Sequence, residues 1–251
     1  MSTVALILAA GEQARWMGDG YKQLLRVGDE TIMGRVVRQC RERSIVPNII
    51  VSCPDLYWAG TKNMNAGWSI FDDLAQPHRW TVETLLSTRA LWQSRTIVLL
   101  GDTVYSKATM DRIFNAPDQP LCVFGNLVEI YALVMRPTDQ HLTDVLCESI
   151  AYAERMVTVD DRKGHGKLRK FYQRYCGLDV SGPTDIENKV LQWVDGLDYT
   201  RDVDLPRDYD ALLREVVQAG RLDDLPDLNP CIDIYECDWR MPEQPAKWSG
   251  E

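Results

Sequence analysis

The sequence predicts an α/β protein built on a mostly parallel central sheet with helices on both faces. Three observations predict it. Short apolar runs alternate with helical periodicities through the first half, Thr3 to Leu8 being the first run. Two of these runs end on glycine: the first in Ala9-Ala10-Gly11, and Thr96-Ile-Val-Leu-Leu100 in Gly101-Asp102. Alternating β and α segments favour a parallel sheet covered on both faces, because each crossover lays a helix across it.

The elements follow in order. After the first strand, Ile32, Met33, Val36, Val37 and Cys40 share one face of a helix expected over Thr31 to Arg43. Asn48 to Ser52 is a β-branched strand, and Val82, Leu85, Leu86 and Ala90 mark a second amphipathic helix. A strand at Thr96–Leu100 leads to Ser106, which can cap a helix over Lys107 to Phe114. Strands are expected at Leu121–Phe124 and Ile130–Met135, then a long helix from Thr138 to about Met156. Asp160 to Lys167 reads as a polar loop entering a helix that ends near Tyr175. Lys189 to Val194 is a weak strand, and Asp204-Leu-Pro206 opens a helix carrying Tyr209, Leu212, Leu213, Val216 and Val217.

Composition narrows the function. The chain has 251 residues, 45% hydrophobic and 26% charged, which excludes disordered and low-complexity classes. Its formal charge of -9 argues against a nucleic-acid binder, since such affinity needs clustered cations. No window reaches the roughly 18 apolar residues of a membrane span, and the start lacks the basic region of a signal peptide. Seven cysteines, scattered and without a C-x-x-C pair, read as reduced thiols in a cytoplasmic protein, with no disulfide framework and no thiolate metal site. The organisation expected is one domain over residues 1–222 and an extension over 223–251. That extension has a net charge of -6, four prolines and two tryptophans, and its residues 230–240 are expected to clasp the domain or a second copy of the chain.

Leu8-Ala-Ala-Gly-Glu-Gln-Ala-Arg15 followed by Lys22-Gln-Leu-Leu25 carries the chemistry. A turn after a strand exposes backbone N–H groups to phosphate oxygens, and two fixed cations can neutralise a pyrophosphate. Read alone, Arg15 and Lys22 also fit solvated loop charges. The loop has neither G-x-G-x-x-G nor GK[ST], so neither Rossmann dinucleotide binding nor a P-loop is present.

The stretch resembles the signature of nucleotidyltransferases of the MobA-like and sugar-phosphate pyrophosphorylase group, which reads L-A-A-G-x-G-x-R-M and then P-K-x-L-L. Leu8, Ala9, Ala10, Gly11, Arg15, Met17, Lys22, Leu24 and Leu25 match, while Gln13 replaces a glycine and Tyr21 the proline. Gly101-Asp102 and Asp202-Val-Asp204-Leu-Pro206-Arg-Asp208 match the two later elements of the group. The resemblance implies a Rossmann-like sheet of the nucleotide-diphospho-sugar transferase type, with Mg²⁺ as cofactor. It implies Leu8 to Gly11 on the nucleotide, Arg15 and Lys22 as catalytic cations, and Asp102 and Asp204 as metal ligands. Thr81, Glu83 and Thr84 lie where the group contacts the nucleobase, and Glu129 where it meets the acceptor. Lys163 and Lys167, beside His165, suit an acceptor phosphate or are solvated loop cations. Likewise Asp102 alone reads as a strand-end turn residue, Asp204 as a helix cap, and Thr81 as the cap of its helix. His78 and His141 look incidental.

The implied partners are a nucleoside triphosphate and a phosphorylated small-molecule acceptor, with a homo-oligomer possible, and the products an NDP-linked compound and pyrophosphate. Two alternatives compete with this reading. A metal-dependent glycosyltransferase would use Asp202-Val-Asp204 as its D-x-D, but that motif lies late and leads into a Pro-started helix. A silent nucleotide-sensing subunit would have lost an aspartate or a cation of the set, and all four are present.

Overall fold

The computed structural model describes residues 2–9, 21–50, 70–71, 80–125, 130–137, 140–157, 166–178, 192–193, 201–203 and 205–219. The strands are β1 (Thr3–Leu8), β2 (Arg26–Val27), β3 (Glu30–Thr31), β4 (Asn48–Ile50), β5 (Ile70–Phe71), β6 (Arg95–Leu100), β7 (Thr103–Val104), β8 (Leu121–Gly125), β9 (Ile130–Met135), β10 (Gln192–Trp193) and β11 (Arg201–Asp202). The helices are α1 (Ile32–Glu42), α2 (Thr81–Ser87), α3 (Lys107–Phe114), α4 (Gln140–Val157), α5 (Leu168–Tyr175) and α6 (Pro206–Ala219).

Among the described residues the main sheet runs β10-β8-β9-β6-β1-β4-β5. All its pairings are parallel except those of β9, which is antiparallel to both β6 and β8. Only residues 126–129 separate β8 from β9. Four residues suffice for an antiparallel return, whereas a parallel one needs a crossover of a dozen or more.

Alternation along the strands builds the core on two faces. Ala5, Ile7, Ile97 and Leu99 pack with Met33, Val36, Val37 and Cys40 of α1 and Met110 and Ile113 of α3. Leu8, Val98, Leu133 and Met135 pack with α2, α4 and α5 through Val82, Leu85, Leu142, Leu146, Leu168 and Phe171. The sheet is thus covered on both sides, as expected. Burial pushes the Cys40 thiol up to about 12 and the Cys122 thiol up to about 11, so both pack as neutral groups. Cys147 is exposed. His141 stacks its ring 5.1 Å from that of Tyr175.

Helix ends follow local chemistry. Thr31 caps α1 by accepting from Gly34 N at 3.0 Å, and Ser106 caps α3 by accepting from Thr109 N at 2.9 Å. At α6 the Asp208 carboxylate accepts from Leu205 N at 2.8 Å, one half of a capping box. The hairpin β2–β3 turns at Gly28, whose φ of 69° lies in the left-handed region. A third cluster of Val27, Ile32, Val104, Val203, Leu212 and Val216 seats α6 on that hairpin, and Tyr209 donates to Arg26 O at 2.6 Å. No described helix is long and apolar enough to cross a membrane. The extension 223–251, with its clasp residues 230–240, lies outside the described residues.

Tyr105 is the polar knot of the core. Fully buried, it donates its hydroxyl to Tyr131 O at 2.5 Å and accepts from Leu100 N at 2.8 Å. Its carbonyl accepts from Arg35 Nε and Gln39 Nε2, both at 3.2 Å, and the buried Arg35 is paired with Glu30. We expect Tyr105→Phe to cost about 1–3 kcal/mol, because it removes the donor to Tyr131 O and the acceptor of Leu100 N together. The check is a lowered urea midpoint at unchanged slope; an unchanged midpoint would show that the hydroxyl contributes no stability.

Candidate active site

The site forms where β1 and β6 end side by side. Their register pairs Thr3 with Arg95 through to Leu8 with Leu100, so Ala9 and Gly101 emerge at one edge. Ala9 N donates to Ile50 O at 2.8 Å, and Gly101 N donates to Leu8 O at 2.9 Å. Ligand sites in open α/β sheets lie beyond the C-terminal strand ends, which is where these residues sit. A Cβ at position 101 would fall 3.0 Å from Ala9 Cβ and 3.3 Å from Leu8 O. Glycine is what lets the two strand ends approach so closely.

Asp102 follows directly. Its side chain is 20% exposed and meets the Lys22 ammonium at 2.5 Å, while the Lys22 side chain is 9% exposed. Lys22 opens a single 3-10 turn, Lys22–Leu24, closed by Leu24 N to Tyr21 O at 2.9 Å and Leu25 N to Lys22 O at 3.2 Å. Tyr21, where the resembling pattern has proline, is extended (φ -96°, ψ 126°), and its ring packs on the core. An aromatic anchor here replaces the fixed backbone of proline.

The late motif arrives at the same place. β11 pairs antiparallel with β7, matching Asp202 with Thr103, and Val203 N donates to Asp102 O at 3.3 Å. Asp204 is the next residue in the chain and lies outside the described residues, as do Ala10, Gly11, Arg15, Glu129 and Lys163.

The remaining candidates gather around α2. Trp80, extended at φ -131° and ψ 149°, precedes the helix and no described side chain caps it, so Thr81 is the first helical residue and not its cap. Thr81 and Glu83 are half-buried. Thr84 is 1% exposed and turns its hydroxyl to Trp80 O at 3.3 Å, a bond within its own helix. Val82 N donates to Gly166 O at 3.2 Å, and a Cβ at Gly166 would fall 2.1 Å from Trp80 Cγ. Gly166, just before α5, is therefore pressed against the Trp80 ring. Exposed Lys167 precedes α5, its carbonyl accepting from Phe171 N at 3.2 Å.

The donor chemistry suits Mg²⁺, a hard ion that takes carboxylate oxygens. The Asp102 carboxylate is partly exposed at a strand end, and the chain bearing Asp204 is hydrogen-bonded to the Asp102 carbonyl. Two buried oxygens in the adjoining residues, Gln23 Oε1 and Thr103 Oγ1, have no hydrogen-bond partner among the described residues. Among the described residues there is no group of three or more His, Cys, Asp or Glu side chains able to hold a metal.

The sequence model of the MobA-like NTP transferase domain matches residues 5–175. The chain belongs to this family. No curated protein matches the sequence. Among solved structures, a putative glucose-1-phosphate thymidylyltransferase from Bacillus anthracis is 13% identical at a TM-score of 0.55, with 85% of this chain and 94% of that one covered. A Mycobacterium tuberculosis protein is 19% identical at a TM-score of 0.56, covering 85% and 98%. The CTP:phosphocholine cytidylyltransferase of Streptococcus pneumoniae is 13% identical at a TM-score of 0.54, covering 85% and 99%. At these identities the structures share the fold.

The close approach at Gly101 gives a direct test. We expect Gly101→Ala to destabilise the NTP transferase domain by about 1–3 kcal/mol, the usual cost of overpacking. Adding Ala9→Gly, which removes the 3.0 Å neighbour, should recover part of that loss in urea unfolding. A Gly101→Ala protein as stable as wild type would show that the strand ends are not tightly apposed.

Proposed function

We propose that the protein is a Mg²⁺-dependent nucleotidyltransferase that joins a nucleoside triphosphate to a sugar phosphate, or a similar alcohol phosphate, with release of pyrophosphate. The observation that carries this reading is the Lys22–Asp102 pair at the end of the central strands, in a member of the NTP transferase family. Support comes also from the structural relatives, a putative thymidylyltransferase and a cytidylyltransferase, and from a manganese complex of the mycobacterial protein.

An oxygen of the acceptor phosphate attacks the α-phosphorus in line. The bond from that phosphorus to the bridging oxygen breaks, and pyrophosphate leaves with the electron pair. Catalysis of such a step is mostly positioning and neutralisation of growing charge. Asp102 and Asp204 would hold Mg²⁺, which would supply charge neutralisation at the reacting phosphate. Lys22 and Arg15 hold the β- and γ-phosphates and stabilise the leaving group. Leu8 to Gly11 offer backbone to the nucleotide. Thr81 and Glu83, with Thr84 behind them, face the nucleobase choice, while Glu129, Lys163 and Lys167 serve the acceptor. The mostly anionic protein keeps its catalytic cations local, which suits small phosphorylated substrates in a cytoplasmic setting.

Pyrophosphate release from four nucleoside triphosphates, each with a panel of sugar 1-phosphates and choline phosphate, tests the reading. Asp102→Asn is expected to abolish turnover in a folded protein. Lys22→Ala is expected to lower kcat by about 10²–10³, the cost of losing a contact that strengthens in the transition state. Full turnover by Asp102→Asn would remove the metal assignment. A Lys22→Ala effect confined to acceptor KM would move that cation from the leaving group to the acceptor.

A further inference from the structure

We propose that Lys22 occupies the Asp102 carboxylate in the free protein, so that divalent cation and triphosphate enter the site jointly, each displacing half of one ion pair. The inference rests on the reading of Asp102 as a metal ligand and adds an order of binding to it.

Three observations carry it. The pair is tight, Nζ to Oδ2 at 2.5 Å. The Lys22 side chain is only 9% exposed, so bulk water screens its charge poorly. Both partners stand on fixed backbone: Lys22 on a turn closed by two main-chain hydrogen bonds, Asp102 after a glycine wedged against Ala9 and Leu8.

A dication arriving alone meets a carboxylate whose charge is already compensated, with a poorly screened ammonium a few ångströms away. Coulomb repulsion between such neighbours is strong at reduced dielectric. A triphosphate arriving alone meets an ammonium already held by a carboxylate. Arriving together, they leave nothing unpaired: the ammonium turns to phosphate oxygens and the carboxylate to the cation. Linkage makes the effect reciprocal. The factor by which triphosphate tightens the cation equals the factor by which the cation tightens triphosphate, commonly about 5–150-fold.

The test is Mn²⁺ binding to the full chain without nucleotide, read from the electron paramagnetic resonance signal of the free ion. Lys22→Met keeps the length of the side chain and removes its charge; it should bind Mn²⁺ about tenfold or more tighter than wild type, within that range of couplings. Lys22→Arg restores a cation and should bind as weakly as wild type. Equal Mn²⁺ affinity in wild type and Lys22→Met overturns the proposal. Asp102→Asn added to Lys22→Met should erase the gain; a gain that survives it refutes Asp102 as a metal ligand, a separate failure. If Lys22→Met does not fold, the unmutated chain still decides. Its Lys22 ¹⁵Nζ resonance should move with Mg²⁺ and inorganic tripolyphosphate together and stay in place with Mg²⁺ alone; movement with Mg²⁺ alone overturns the proposal.

Discussion

The six-residue parallel pairing of β1 with β6 is the constraint from which the rest of the site descends. It brings the signature stretch and the Gly-Asp element, about ninety residues apart in the chain, to one edge of the sheet. A one-residue slip would turn every buried side chain of β1 to the opposite face and pull Ala9 away from Gly101. Register is protected because both faces are committed: Ile7 belongs to the core under α1 and α3, Leu8 to the core under α2, α4 and α5. Stability and function therefore depend on the same ladder.

Around that edge the molecule handles charge locally. Glu30 takes Arg35 and Arg38, with Arg35 also reaching the Tyr105 carbonyl, so the buried guanidinium beneath the site is compensated within its own neighbourhood. Lys22 and Asp102 are matched to each other in the same way. The difference is position: the first network ties the hairpin residue Glu30 to α1, with Glu30 23% and Arg38 38% exposed, whereas the second, more buried, stands at the end of β6. A chain of net charge -9 thus keeps these cations matched by neighbouring carboxylates.

Much of the fold was legible because its signals are local. The β1 boundaries, the Ser106 cap and the apolar stripe of α1 follow from residue type and spacing, and each stands where expected. The elements that escaped are two-residue strands. β7 and β11 are too short to show alternation and exist because they pair with each other, a long-range event invisible in either segment. The antiparallel course of β9 was available in the four-residue link before it but needed the topology to be asked. Tyr105 left no signal, since its partners come from three separate places in the chain: Leu100 in β6, Tyr131 in β9, and Arg35 and Gln39 on α1. At the site, Leu8, Lys22 and Asp102 were reached through the resemblance. Their spacing alone does not distinguish an active site from a turn with charges.

The contact between Gly166 and Trp80 carries a lesson for redesign. The segment entering α5 and the start of α2 share one interface, where the glycine leaves no room for a side chain over the indole. A loop transplanted from a relative to alter one substrate preference would have to bring a compatible residue at position 80 with it, or the graft would tilt the helix start that bears Thr81 and Glu83. The two segments are thereby coupled as a single module, and diversification of this scaffold must proceed through paired changes at positions 80 and 166.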